Sequence, residues 1–64
     1  MTYKTTVHRA DGTYVNMSFS LLRDAKGYAR QTGRKGDRVV IEEHWEDEQN
    51  TLYKYTVDDW DEDT

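Results

Sequence analysis

The sequence predicts an α+β domain: a four-stranded, mainly antiparallel sheet in the order β-β-α-β-β, with one helix packed on one face. Three observations support this fold class. Two segments typical of strands flank an Asp-Gly turn, apolar residues then recur at helical spacing, and two more strand-like segments follow. At 64 residues the chain has room for one such domain, and its lack of cysteine excludes disulfides and thiolate metal sites.

The first two strands are predicted over residues 3–9 and 13–19, which are rich in β-branched and aromatic residues. A two-residue Asp-Gly loop would set the apolar face of the second strand beside polar residues of the first. A three-residue loop with Gly12 in the left-handed conformation pairs Val7 with Val15 and builds one apolar face. We therefore predict the three-residue loop, which also pairs Thr5 with Met17 and Tyr3 with Phe19.

The helix is predicted over residues 21–32, with Ser20 as its N-cap and Gly33 as its C-cap. Gly27 inside the helix costs about 1 kcal/mol relative to alanine, and we expect it to let the helix lie close to the sheet. The apolar stripe has helical spacing. It consists of Leu21, Leu22, Ala25, Tyr28, Ala29 and Thr32.

The last two strands are predicted over residues 38–45 and 51–57, joined by a polar turn at 46–50. If odd-numbered residues of one strand pair with odd-numbered residues of the other, the apolar side chains of both strands lie on one face. These are Val39, Ile41 and Trp45 with Tyr53, Tyr55 and Val57. Residues 1–57 then form the domain, and residues 58–64 an acidic tail that frays unless Trp60 docks it. The opposite sheet face is mostly polar, and we keep open a homodimer through that face or through an edge strand.

The net charge of −4 combines two opposed parts. Residues 1–41 contain eight basic and three acidic side chains, and residues 42–64 contain one basic and ten acidic side chains. The chain therefore carries +5 on its first part and −9 on its second, which predicts two oppositely charged surfaces.

The basic part includes a stripe along one exposed side of the predicted helix. It consists of Arg23, Lys26, Arg30 and Arg34, extended past the end of the helix by Lys35 and Arg38. Such a stripe could neutralise phosphates, which gives a nucleic-acid-binding module as the alternative function. An overall pI of about 4.9 opposes this, because an acidic domain repels a polyanion at long range. The stripe could instead meet the acidic part of a second copy in a self-associating structural protein, or simply be solvated.

The acidic part is the predicted protein-binding surface, with tryptophan as an anchor. It consists of Glu42, Glu43, Trp45, Glu46, Asp47, Glu48, Asp58, Asp59, Trp60 and Asp61. If the third strand continued through Glu48, alternate acids would lie roughly 6.6 Å apart, a spacing of the order of that between successive phosphates. The expected partner is a protein with a basic or DNA-binding surface. A simpler interpretation makes the acids a solubilising surface and puts at least three of Trp45, Tyr53, Tyr55 and Trp60 in the core.

Catalytic and metal chemistry find little support in the sequence. His8, His44 and Glu42 share the open sheet face but lack a close ligand spacing such as His-x-x-x-His. There is no phosphate-binding glycine loop, and 64 residues can hardly enclose a cleft for catalysis. We therefore expect no enzymatic activity, no catalytic residue, no metal and no cofactor. The chain has neither a signal-peptide pattern nor an apolar run of about 18 residues, so we expect a cytoplasmic protein without membrane contact.

Residues 19–30 show a sequence pattern that weakly resembles one found in other small proteins. A strand ends in Phe19-Ser20, and the helix then shows an acidic-Ala pair, Asp24-Ala25, and an aromatic-Ala pair, Tyr28-Ala29. This pattern resembles small phage and bacterial accessory proteins of β-β-α-β-β type, for which no activity or catalytic residue is defined. Together with the acidic surface, it favours a small protein-binding protein, and more narrowly a phage-type inhibitor that imitates DNA.

Overall fold

A computed structural model of the chain describes residues 1–57. The elements are β1 (Thr2–His8), β2 (Tyr14–Phe19), α1 (Leu22–Thr32), β3 (Arg38–Trp45) and β4 (Glu48–Thr56). The strands form one sheet in the order β2-β1-β3-β4, and every neighbouring pair is antiparallel. The predicted α+β fold class and element order are confirmed. The sequence left the strand order open, and the structure shows that β1 and β3 join the two hairpins at the centre of the sheet.

The first hairpin has the predicted register. Val7 lies opposite Val15, and the predicted Thr5–Met17 and Tyr3–Phe19 pairs are also present. The Arg9 amide donates to the Thr13 carbonyl at 2.7 Å, which closes a three-residue loop in which Gly12 has a φ of +95°. The Thr13 hydroxyl and amide donate to the Asp11 carboxylate, and these hydrogen bonds lower the pKa of Asp11.

The helix begins one residue later than predicted. Its N-cap is Leu21, which makes no side-chain capping bond, so the prediction of Ser20 as N-cap is wrong. The Leu21 carbonyl accepts from the amides of Asp24 and Ala25 at 3.2 Å, which starts the helical hydrogen bonding. The Leu21 side chain is 47% exposed, so it also lies outside the apolar stripe to which we assigned it.

The two glycines of the helical region have different roles from those expected. Gly33 is the C-cap as predicted, and its amide donates to the Ala29 carbonyl at 2.8 Å. A Cβ at Gly33 would lie 2.8 Å from that carbonyl oxygen and 3.1 Å from Cγ2 of Val57, so close packing requires glycine there. A Cβ at Gly27 would meet nothing within 4 Å, so the expectation that Gly27 permits close approach to the sheet is wrong.

The core lies between α1 and the two central strands. Its buried apolar members are Val7, Ala25, Ala29, Val39, Ile41 and Val57. Thr5 is also fully buried, and its hydroxyl donates to the Ala25 carbonyl at 2.8 Å, which fixes the helix over β1. Because the helix lies over β1, apolar side chains toward both sheet edges remain exposed on its face.

The second hairpin differs from the prediction in its turn. The predicted polar loop at 46–50 is a two-residue turn, Glu46-Asp47, and β4 already begins at Glu48. Val39 and Ile41 pair with Tyr55 and Tyr53, so the predicted face is confirmed there. Next to these pairs Leu52 is an extra residue in β4, a bulge that brings Glu48 opposite Trp45. Gln49 and Asn50 are therefore strand residues, although their polarity is typical of loops.

A buried carboxylate ties the loop between α1 and β3 to the rest of the fold. Asp37 is 4% exposed, and its Oδ2 accepts from Nη1 of Arg9 at 2.7 Å and from the Arg34 amide at 2.9 Å. The same Arg9 nitrogen donates to the Thr32 carbonyl at the end of α1. The Asp37 carbonyl accepts from the Val57 amide. This network positions the open end of the second hairpin against the first.

Candidate functional site

The end of the second hairpin combines one large aromatic side chain with three acids. We call Trp45, Glu46, Asp47 and Glu48 the hairpin tip. The ladder between β1 and β3 ends at the Thr2–His44 pair, so Trp45, the last residue of β3, has no partner on β1 and is 46% exposed. The turn residue Glu46 has a φ of +53°, a conformation that non-glycine residues rarely adopt.

The acids of β3 do not share one surface. Glu43 lies on the helix-bearing face, opposite Tyr3, whereas Glu42 lies on the open face, opposite Lys4. Glu42 Oε1 is 3.1 Å from Nε2 of His44. The structure thus brings Glu43 toward the hairpin tip and separates Glu42 from it, because successive residues of a strand point to opposite faces.

The predicted phosphate-like row of acids along β3 is wrong. It required β3 to continue through Glu46 and Glu48, but β3 ends at Trp45 and the chain reverses at the turn. The acidic side chains around the tip therefore form a cluster and not an extended row.

Part of the predicted binding surface lies outside the described residues. Asp58, Asp59, Trp60 and Asp61 follow residue 57, where the description ends. Their assignment to the binding surface, and the division between a domain at 1–57 and a tail at 58–64, remain predictions.

Exposed tyrosines extend the aromatic surface along β4. Tyr53 and Tyr55 are 39% and 36% exposed and, with Lys26, Arg30 and Ile41, line a groove of about 200 Å³ between α1 and β4. Burial raises the pKa of the Tyr55 hydroxyl, and the charge of Arg30 acts in the opposite direction. Trp45, Tyr53 and Tyr55 are all more than a third exposed, so the interpretation that puts at least three of the four aromatics in the core is wrong.

The basic stripe is divided between the helix and the following loop. Arg23, Lys26 and Arg30 lie exposed on α1, but the helix ends at Thr32, so Arg34 and Lys35 do not continue it. Lys26 Nζ lies 4.7 Å from the centroid of the Tyr53 ring, a cation–π contact within the molecule. The stripe is thus less uniform than a continuous helix face would be.

The open face holds a basic cleft that the sequence does not predict. Its volume is about 480 Å³, and it is lined by Arg9, Arg38 and Lys54 together with the His8 imidazole. His8 pairs with Arg38 across the central strands, and its ring lies 5.7 Å from that of Tyr14. Only the long-range pairing of β1 with β3 brings these residues together, so no local pattern could have revealed them.

The two histidines lie apart. His8 is opposite Arg38 at one end of the sheet and His44 is opposite Thr2 at the other end. Among residues 1–57, no three His, Asp or Glu side chains are arranged to hold a metal ion. The helix of this described region is too short and too polar to span a membrane.

Comparison with family models, curated proteins and solved structures found no match for the chain.

Proposed function

We propose that the protein acts by binding another protein through the hairpin tip, with Trp45 as the anchor. The observation that carries this proposal is the exposure of Trp45 directly beside three consecutive acids. Tryptophan is enriched among the residues that dominate binding energy, and such anchors are typically surrounded by a polar rim. Glu46, Asp47 and Glu48 supply that rim.

The charge of the tip indicates the chemistry of its partner. Its three acids and nearby Glu43 favour a protein with a basic surface, since complementary charge accelerates association and excludes acidic competitors. Tyr53 and Tyr55 lie on the same sheet face and can extend the contact along β4. We propose neither a reaction nor a cofactor.

The narrower hypothesis of a DNA-imitating inhibitor has less support. It drew on regular spacing of acids along one strand, and β3 ends before that spacing could develop. The acidic cluster at the tip still suits a partner that normally binds nucleic acid, and such a partner is one outcome of the experiment below.

Site-specific photo-crosslinking tests the proposal. Trp45 is replaced by p-benzoylphenylalanine, the variant is expressed in the source organism, and crosslinked proteins are identified by mass spectrometry. The matched control carries the same group at Tyr14, which is 60% exposed on the open face. We expect one basic protein to crosslink at position 45 and not at position 14.

Binding to the purified partner then gives the energetic test. We expect Trp45→Ala to weaken binding by at least about 2 kcal/mol, roughly thirtyfold. Glu46→Lys with Asp47→Lys should slow association most strongly at low salt. Equal crosslinking at both positions, or unchanged affinity of Trp45→Ala, would contradict a binding role of the tip.

A second candidate function is binding of single-stranded nucleic acid on the open face. The basic cleft favours it, because Arg38 and Lys54 flank it and the exposed Tyr14 ring lies next to His8. Paired cationic and aromatic side chains are what single strands need for phosphate contact and base stacking. The nucleic-acid-binding surface proposed here is thus the open face of the sheet and not the basic stripe of the helix.

Fluorescence anisotropy with short labelled RNA and DNA strands tests the second candidate. We expect Arg38→Ala with Lys54→Ala to reduce affinity about tenfold or more. The slope of the logarithm of the binding constant against the logarithm of the salt concentration should become shallower by about 0.7 for each lost phosphate contact. The matched double variant is Arg23→Ala with Lys26→Ala on the helix. A larger loss in that helix variant would assign the binding to α1, and no binding by the wild-type protein would exclude both surfaces.

A further inference from the structure

The two edge strands of the sheet differ in their protection against pairing with another strand. β4 carries Glu48 and Lys54 and contains the bulge at Leu52, and charges and bulges are features that prevent edge pairing. β2 reads Tyr-Val-Asn-Met-Ser-Phe, with no charged residue and no proline, and its ladder with β1 is regular throughout. The β2 edge therefore lacks the features that protect the β4 edge from pairing with another strand.

The hydrogen bonding of the first hairpin determines which groups of β2 face outward. The Arg9–Thr13 bond closes the hairpin, and hydrogen-bonded pairs alternate along an antiparallel ladder. Val15 and Met17 therefore bond inward to β1. The amides and carbonyls of Tyr14, Asn16 and Ser18 point away from the sheet and are available to another strand.

We propose that β2 pairs antiparallel with β2 of a second copy, about a two-fold axis at Asn16, to form an eight-stranded sheet. In this register Tyr14 lies opposite Ser18 of the second copy, so all three outward-facing residues exchange hydrogen bonds. Val15 lies opposite Met17 of the second copy on the helix-bearing face. The β2 surface is thus complementary to itself, as a two-fold interface requires.

The exposed apolar side chains of β2 supply the driving force. Val15 is 37% exposed and Met17 is 52% exposed in the single copy. Pairing brings four such side chains together between the two helices, and removing their apolar surface from water stabilises the dimer. The two paired β2 strands contribute no charged side chain to the contact, so salt should not weaken it. In this it differs from self-association between the basic helix and the acidic hairpin.

Cysteine crosslinking tests the register. The chain has no cysteine of its own. Two Asn16→Cys residues on the axis would have Cα atoms about 5.5 Å apart, which a disulfide can bridge. The matched control is Asn50→Cys, the same substitution on the β4 edge. We expect mild oxidation to give covalent dimers for Asn16→Cys and monomers for Asn50→Cys.

Analytical ultracentrifugation tests the association itself. We expect the wild-type protein to approach twice the 7.6 kDa of one chain as its concentration rises, equally at about 0.1 M and about 1 M salt. Met17→Lys should raise the dimer dissociation constant at least tenfold, whereas Leu52→Lys on β4 should not. Because Met17 is half exposed, the variant should fold, and circular dichroism checks this.

Three results would overturn the proposal. A wild-type protein that stays monomeric at every concentration excludes the pairing. A dimer that dissociates at high salt indicates association through opposite charges instead. Preferential crosslinking of Asn50→Cys would place the contact on β4. The hairpin tip lies at the opposite edge of the sheet, so failure of this proposal leaves the proposed function intact, and the reverse also holds.

Discussion

Asp37 joins three parts of the chain that are distant in sequence. Its carboxylate accepts hydrogen bonds from Arg9, which follows β1, and from the Arg34 amide, while its carbonyl accepts from the Val57 amide. Asp37 resembles an ordinary loop residue because its charged partner is 28 residues away. The sequence therefore could not distinguish it from the exposed aspartates of the chain.

Asp37→Ala should destabilise the protein by about 3 kcal/mol. The substitution leaves the mostly buried guanidinium of Arg9 without its carboxylate, and breaking a buried ion pair costs this much. Urea denaturation followed by circular dichroism gives the free energy of unfolding. Asp47→Ala in the exposed turn is the control, with an expected change within about 0.5 kcal/mol. Equal effects of the two substitutions would show that the Asp37 network contributes little.

At the scale of the element, Gly27 and Gly33 allow a matched comparison within one helix. We expect Gly27→Ala to raise the free energy of unfolding by about 0.5–1 kcal/mol, because alanine is the better helix former and its Cβ meets open space. Gly33→Ala should lower it by about 1–3 kcal/mol, because its Cβ would collide with the Ala29 carbonyl. Thermal and urea denaturation of both variants measure the changes. Stabilisation by both substitutions would contradict the close packing at Gly33.

The two hairpins show where local sequence determines register. The Asp-Gly turn and the alternation of β2 fix the first hairpin within 18 residues, and its register was predicted correctly. In the second hairpin, the polarity of Gln49 and Asn50 predicts a loop, but as residues of an edge strand they can face solvent. The bulge at Leu52 then changes the pairing in a way that simple alternation cannot anticipate.

For the whole molecule, composition and periodicity predicted the fold class, but they did not predict the pairing that organises the sheet. The grouping of Trp45 with Glu46, Asp47 and Glu48 followed from their adjacency in the chain. The separation of Glu42 from them depends on strand alternation up to the real end of β3. The basic cleft depends on contact between β1 and β3, which no local pattern encodes.

Ending the chain at Val57 should leave the fold intact. Among the described residues 1–57, six apolar side chains form a buried core, and Val57 is the last of them in the chain. We expect the shortened protein to keep the midpoint of thermal unfolding of the full chain, and Val57→Ala in the full chain to cost about 2 kcal/mol. Thermal unfolding monitored by circular dichroism measures both. Strong destabilisation by the truncation would contradict the predicted domain boundary at residue 57.

The central position of β1 has a consequence for folding kinetics. The β1–β3 pairs connect residues that lie 30 to 42 positions apart, from His8–Arg38 to Thr2–His44. The first hairpin can form early, but an isolated two-stranded hairpin is marginally stable in water. The first hairpin becomes stable only when β3 and the helix cover its apolar face, which requires the chain to close a long loop. Contacts between residues so distant in sequence slow folding. The two hairpins should therefore appear in a single cooperative step, in which neither is populated without the other.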